Sequence, residues 1–401
     1  MGAPRGTTER PATRAAGDWL RRHLRLLGGG EGRVPGVDVA RGIAILGMFT
    51  AHVGVTSDDL GTLPGWLSIA HGRSSILFAL VAGISVGIVS GGPRPVGGPA
   101  LVAVRTRLLV RAALLLALVA LLDLLGTRVA LILGFYAAYF VLALPFLRWR
   151  PPRLAALATV IAVVGPAAAH WGPEVLARAG LRLPRDGSGA VTDFVLTGHY
   201  PAVVWMAYVL AGMAIGRCDL TSHRLRRGLV LGGLTATALA GLLSVRLADA
   251  AGGADAIRRQ VVATSSDLAP DPHAWDAPWP TGAFLLLAGP HDDTTFEAVG
   301  SGGFAVAVVG LCLYAGRVGR WVLAPLAATG AMALTVYSLQ IVAIWHWDLI
   351  GSETNGPLAV MVLVTLAATT AWRFLLGRGP LERLVSRVAD GAARLRESPS
   401  R

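Results

Sequence analysis

Arg41 and His52 lie eleven residues apart in one apolar stretch, VDVARGIAILGMFTAHV. On a helix that interval is close to three turns of 3.6 residues, so both project from one face, about 16 Å apart at 1.5 Å per residue. They are too distant to pair. A cation at one level of a buried stripe and an imidazole at another suit an elongated ligand lying along the helix. Ionisable side chains inside an apolar span are costly, so by default they mark a site. A neutral imidazole at His52 can accept a proton. The cation at Arg41 can hold an anionic group of such a ligand. Asp38, three residues before Arg41, either pairs with it or contacts substrate, and Gly42 lets another helix or a ligand approach closely.

Further candidates stand where apolar runs begin. His71-Gly72-Arg73-Ser74-Ser75 opens the second run. His71 is a second candidate base, and Arg73 with the backbone donors of a helix N-terminus suits polar or anionic substrate groups, against the simpler reading of a serine cap with a snorkelling arginine. Arg105, Arg107 and Arg111 follow helical spacing. They are membrane anchors or a grip on the phosphates of a cytosolic cofactor, and Arg111, the deepest, points inward most readily. His199 in Thr197-Gly198-His199-Tyr200-Pro201, and His291 with Glu297 before the eighth run, are candidates for substrate binding or for loop support. A metal at His291, Asp292, Asp293 and Glu297 is not expected, because no second histidine follows at helical spacing. Trp171, Trp275, Trp279, Trp345 and Trp347 fall at one boundary as an aromatic belt, and Trp275 with Trp279 could stack on a sugar.

The elements that must position these groups follow from composition. Hydrophobic residues make up 54% of 401 and charged residues 15%, in recurrent runs long enough to cross a hydrocarbon core. The fold class expected is all-α, a polytopic membrane bundle of about ten spans: 37–56, 73–91, 101–122, 128–147, 154–171, 200–216, 228–247, 300–316, 322–347 and 357–376. Arginines crowd the loops after even-numbered spans and the tails, which places both termini in the cytosol. The net charge of +12 is dispersed over loops and tails, which argues against nucleic acid as a partner. Cys218 and Cys312 give no disulfide or metal framework. Residues 1–32 read as a cytosolic tail with a short amphipathic helix near 18–27, residues 33–377 as one transmembrane domain, and 378–401 as a basic cytosolic tail. Two long outer connections, 172–199 and 248–299, exceed what a mere connector needs, and 284–288 could dip into the bilayer.

The motif Val37-Asp38-Val39-Ala40-Arg41-Gly42-Ile43-Ala44 with His52 resembles the first span of the transmembrane acyltransferase superfamily. In particular it resembles bacterial proteins similar to the catalytic domain of heparan-alpha-glucosaminide N-acetyltransferase, together with YeiB-like membrane proteins. The block His71 to Gly83, the segment Leu196 to Pro201 with Gly212 to Arg217, and Thr295 to Gly302 extend the likeness over about 33–377. The resemblance implies ten or eleven helices moving an acyl group, often acetyl from cytosolic acetyl-CoA, to an acceptor on the far side of a bacterial cytoplasmic membrane, such as an envelope glycan. In the related family-3 membrane acyltransferases an arginine and a histidine on the first span, separated as Arg41 and His52 are, are functional. In the glucosaminide branch an asparagine usually replaces that histidine and the functional one comes from the next outer loop, which His71 would match. Two candidate bases therefore stand, and the glucosamine acceptor does not carry over. The expected partners are the bilayer, a small-molecule acyl donor and an outer acceptor, with a homodimer also compatible. The competing classes are a transporter, which would show broken helices and matched halves, neither visible in the sequence, and a non-catalytic membrane protein with no cavity reaching both Arg41 and His52.

Overall fold

A computed structural model describes residues 23–24, 33–181, 190–264, 279–315 and 319–397. Among these the chain is helical, without strands. Helix α1 spans Pro35–Val53, with Pro35 in its first turn, where a missing N–H costs nothing. A short α2 (Leu63–Ser68), capped by the Thr62 side chain on the Gly65 N–H, leads into α3 (Arg73–Val89). Then come α4 (Gly98–Asp123), α5 (Ile132–Ala143), α6 (Pro151–Arg178), α7 (Ala202–Gly216) and α8 (His223–Ala250). The chain continues with α9 (Ala254–Thr264), α10 (Thr295–Cys312), α11 (Ala324–Ala331), α12 (Ala333–Trp347), α13 (Gly356–Leu376) and α14 (Pro380–Glu397).

Five helices, α1, α6, α8, α10 and α13, are long and apolar enough to cross a membrane, and the bent pair α11 and α12 would make a sixth. The chain thus has the character of a multi-helix membrane protein. The helices divide into two classes by burial. Val160, Val163, Leu231, Leu242 and Leu363 on α6, α8 and α13 lie exposed, as side chains facing lipid would. Helices α1, α3, α7 and α10 are buried on most sides, with Ile45, Met48 and Phe49 of α1 set against Ile76, Leu80 and Ile84 of α3. The opening motif therefore sits in the middle of the bundle.

Nine of the ten ranges expected from the sequence fall on single helices, but 322–347 does not. There α11 and α12 meet at 83°. The break has identifiable partners. The Gly330 carbonyl at the end of α11 accepts from Arg41 Nη1 at 3.1 Å, while the Leu334 and Thr335 N–H groups opening α12 donate to the Glu382 carboxylate at 2.7 and 3.1 Å. A cation thus meets the carbonyl end of one half and an anion the amide end of the other, which satisfies groups that an apolar setting would leave exposed. Gly42 and Gly330 let α1 and α11 touch backbone to backbone: a Cβ on Gly42 would collide with the Leu326 carbonyl, and one on Gly330 with the Asp38 carbonyl. The close approach foreseen at Gly42 is therefore filled by a helix.

Two further expectations change. Residues 380–397, read as a tail, form α14 and pack along α4, with Arg107 Nε donating to Asp390 Oδ1 at 2.8 Å. Residues 282–286 form a 3-10 turn. The proposed helix at 18–27 and Trp275 lie outside the described residues, apart from 23–24 in the former.

Candidate functional site

At the Arg41 end of α1 lies a cavity of about 510 Å³, bounded by Arg33, Arg41, Ser85, Arg111, Tyr136, Arg378 and Glu382 and by apolar groups such as Phe78, Leu108 and Leu133. Arg41 lines it but is already engaged. Its Nη1 donates to Asp38 Oδ1 and to the Gly330 carbonyl, each at 3.1 Å, and Nη2 donates to Ser85 Oγ at 2.6 Å. Asp38 also takes a bidentate grip from Arg33 at 2.7 and 2.8 Å, and Arg373 approaches to 4.0 Å. Asp38 is thus a buried counter-ion at this end, apart from the other residues expected to contact an acceptor. Arg107 does not line the cavity and is paired with Asp390. Arg111 does line it, and its Nε is buried without a hydrogen-bond partner; so is the Tyr136 hydroxyl. Orphaned buried polar atoms are uncommon, since each costs about 1–3 kcal/mol. A ligand with hydrogen-bonding oxygens would satisfy both.

At the other end of α1 the structure gathers His52, His71, His199 and His291 from four separate chain segments, near enough for the other three to disfavour a charge on His291. Burial is the larger cause, and together they bring the His291 pKa down to about 4. Burial likewise lowers His71 and His199. His52 Nδ1 lies 2.7 Å from Gln340 Nε2, and His71 Nε2 lies 3.4 Å from Thr56 Oγ1. The His199 and His291 rings stand 4.7 Å apart, with Tyr200 edge-on to both.

Glu297 builds this end. Thr294 caps α10 by accepting from the Glu297 N–H, and the Glu297 carboxylate turns back to accept from the His291 and Asp293 N–H groups, both at 2.7 Å. Those two residues hold left-handed backbone, φ 61° and 50°, which costs on the order of 1–3 kcal/mol each and needs such support. Glu297 therefore shapes the loop carrying His291, with both oxygens committed to it. Gly72, at φ 68°, packs against Pro290 and Glu297, so the segment containing His71 is fitted to the same loop. Asp293 accepts from Trp205 Nε1 at 2.8 Å, and burial raises its pKa to about 7. Arg73 points elsewhere: Nη1 donates to the Ile69 carbonyl at 3.3 Å and the guanidinium lies over Phe304. The guanidinium of Arg178 covers Trp279 at 4.3 Å from the ring centroid, on a ring for which sugar stacking was the alternative to a place in the aromatic belt. No cluster of three or more metal-ligating side chains occurs among the described residues.

The cavity at Arg41 does not extend to the histidine end: none of the four histidines lines it. Phe78 and Tyr136 lie at its wall, their rings 5.3 Å apart; Tyr139 follows at 5.4 Å from Tyr136 and donates its hydroxyl to the Tyr200 carbonyl at 2.6 Å. Tyr337, fully buried, accepts from the Ile132 N–H beside them. An aromatic partition therefore stands between the arginine end and the histidine end, where an elongated ligand lying along the helix was expected.

Residues 33–244, more than half of the chain, match the family model described as heparan-alpha-glucosaminide N-acetyltransferase, catalytic. The chain belongs to that family. No curated protein matches the chain. The family-matched region contributes Arg41, His52, His71, Arg111, Tyr136 and His199, while His291, Glu297, Gln340 and α14 come from beyond it.

Three residues escaped sequence reading. Gln340 and Tyr136 are polar groups in otherwise apolar helices, and nothing local distinguishes them from packing residues. Glu382 sits in a stretch that reads as a charged tail. One signal was present and overlooked: Thr294-x-x-Glu297 has the spacing of a capping box, which points to a structural use of Glu297.

Proposed function

We propose that the protein is a membrane acyltransferase that takes an acetyl or other acyl group from an acyl-CoA at the Arg41 end and passes it to an amine or hydroxyl acceptor at the histidine end. The observation that carries this reading is the polarity of α1, which at one end lines a cationic cavity with orphaned polar atoms and at the other presents His52 to three more histidines. Family membership supports acetyl transfer as the chemistry.

The donor thioester would enter beside Arg111 and Tyr136, whose unpaired donors suit its oxygens. At the far end a neutral imidazole, His52 or His71, takes the proton of the acceptor as its oxygen or nitrogen attacks the acyl carbon. The carbon–sulfur bond breaks and the departing thiolate takes up a proton, giving acylated acceptor and free thiol. Alternatively the imidazole attacks first and the acceptor displaces it from the acyl-imidazole. In either sequence Phe78, Tyr136 and Tyr139 must part for the acyl group to reach the histidines, because the cavity at Arg41 does not reach His52, the feature expected of a non-catalytic membrane protein. We place the arginine end and both termini in the cytosol, with about ten spans in a bacterial cytoplasmic membrane, on the strength of the arginine distribution over the loops.

A second reading has one observation in its favour. The break between α11 and α12 is the kind of discontinuous helix found at the centre of transporters, and a closed partition suits a transporter between open states. Acetyl-CoA consumption decides between them: purified protein that cleaves the thioester in an acceptor-dependent manner is an acyltransferase, and protein that moves a solute while leaving the thioester intact is not.

A further inference from the structure

The cavity at Arg41 is not closed by the family-matched helices alone. Its open side is walled by α14 through Glu382, Val385, Ser386 and Asp390, with Arg378 just before that helix. A second cavity of about 250 Å³ adjoins it, sharing Arg378, Ser386 and Asp390, and is completed by Arg383, Arg387, Gly391 and Arg394. Arg378, Arg383 and Arg387 thus border a small space with one carboxylate, Asp390, which already accepts from Arg107, while Arg383 Nη2 also donates to the Leu376 carbonyl. The local balance is positive and suits an anion. The adjoining larger cavity ends at Arg111 Nε and the Tyr136 hydroxyl, both buried and unpartnered, with Tyr136 only 2% exposed.

We infer that α14 supplies the phosphate-binding half of the acyl-donor site. The phosphates at the nucleotide end of coenzyme A lie among Arg378, Arg383 and Arg387, and the pantetheine arm runs into the larger cavity toward Arg111 and Tyr136. This rests on the acyl-CoA reading above and assigns its recognition to a helix outside the family-matched region. Arginine suits the task because its planar fork binds phosphate oxygens two at a time. Helix α14 is held where the site needs it by the Glu382 bonds to α12 and by the Arg107–Asp390 pair. The same three arginines could instead meet phosphates of anionic lipid headgroups, and the experiment separates the two.

Binding of coenzyme A, 3′-dephospho-coenzyme A and pantetheine to the purified full chain is measured by calorimetry for the native protein and for the R378Q/R387Q variant. Coenzyme A affinity is expected to fall about 10- to 100-fold in the variant, while pantetheine affinity changes less than about threefold. Unchanged coenzyme A affinity overturns the inference, as does a variant that keeps coenzyme A but loses its preference for vesicles containing phosphatidylglycerol, which would make α14 a lipid-headgroup site. If the variant fails to fold, the native chain decides: dephosphorylation of the ligand is expected to weaken binding about tenfold or more, and equal affinity refutes the phosphate site. A native protein that binds no coenzyme A at all overturns the acyl-CoA reading as well; loss confined to the arginine dependence overturns this inference alone.

Discussion

Gln340 sets the hydrogen bonding of His52: its side-chain nitrogen lies 2.7 Å from His52 Nδ1, and the residue is 2% exposed. In this orientation Nδ1 accepts, the proton sits on Nε2, and the ring has no free lone pair. The amide oxygen is buried without a partner and the nitrogen reaches the Met48 carbonyl only at 3.5 Å. Turning the amide over gives Nδ1–H an acceptor and frees Nε2 as a base, which is the tautomer acyl transfer requires. Gln340→Leu is therefore expected to lower kcat about 10- to 100-fold with donor affinity nearly unchanged. Gln340→Glu, an acceptor at the same place, should retain most of the rate. Steady-state kinetics beside donor-binding isotherms check both.

Arg41 carries structure as well as any contact to a ligand. Arg41→Ala leaves the Gly330 carbonyl, Ser85 and part of the Asp38 carboxylate without their donor, and the pair with Asp38 is largely buried. The expected loss is about 3–5 kcal/mol of stability, read as a lower midpoint in thermal unfolding. Arg41→Lys should recover little, since an ammonium cannot serve three acceptors in a planar fork.

The loop at His291 and Asp293 predicts a pH dependence of stability with two opposed contributions. His291 has a folded pKa of about 4 against an ordinary 6.5, so the unfolded chain binds more protons in that window and stability is lost as pH falls through it. Asp293 has a folded pKa of about 7 against 3.8, so the folded chain binds more protons and stability is lost as pH rises through that window. Each amounts to a few kcal/mol, about 1.4 kcal/mol per unit, and they offset between about pH 4 and 7. Asp293→Asn is expected to unmask a stability that rises with pH over that interval, and His291→Gln one that falls. Thermal unfolding of the three proteins across pH measures it; parallel profiles would refute the assignment.

Glu382 fastens α14 to the broken span. Glu382→Ala removes acceptors from the Leu334 and Thr335 N–H groups and from the Thr335 hydroxyl, at a cost of about 2–3 kcal/mol. Amide exchange at Leu334 and Thr335 should accelerate at least about tenfold, and proteolysis near residues 377–380 should become faster.

The sequence exposed the helices because hydrophobic run length is a local property, and it singled out His52, His71, His199 and His291 one by one because each stands near the start or end of a run, while their meeting was not legible. The break at Met332 was hidden because its cause is not local: Arg41 and Glu382, distant in the chain, satisfy the freed backbone groups. The aromatic partition was hidden for the same reason, since Phe78, Tyr136, Tyr139 and Tyr200 come from separate segments that each read as ordinary core. Asp38 was singled out as costly to bury and Glu297 as a loop or substrate contact, but residue type alone does not distinguish a carboxylate serving a ligand from one holding a loop or an arginine.

The central claim, that one helix joins a donor cavity to a histidine that performs the transfer, is tested most directly by acyl transfer from labelled acetyl-CoA by purified protein, native and with His52→Ala or His71→Ala. The account predicts thioester cleavage by the native chain, and at least about a 100-fold loss of turnover in one histidine variant while that variant binds acetyl-CoA as tightly as the native protein. Turnover retained in both variants, or no cleavage by the native protein with amine and hydroxyl acceptors supplied, would contradict it.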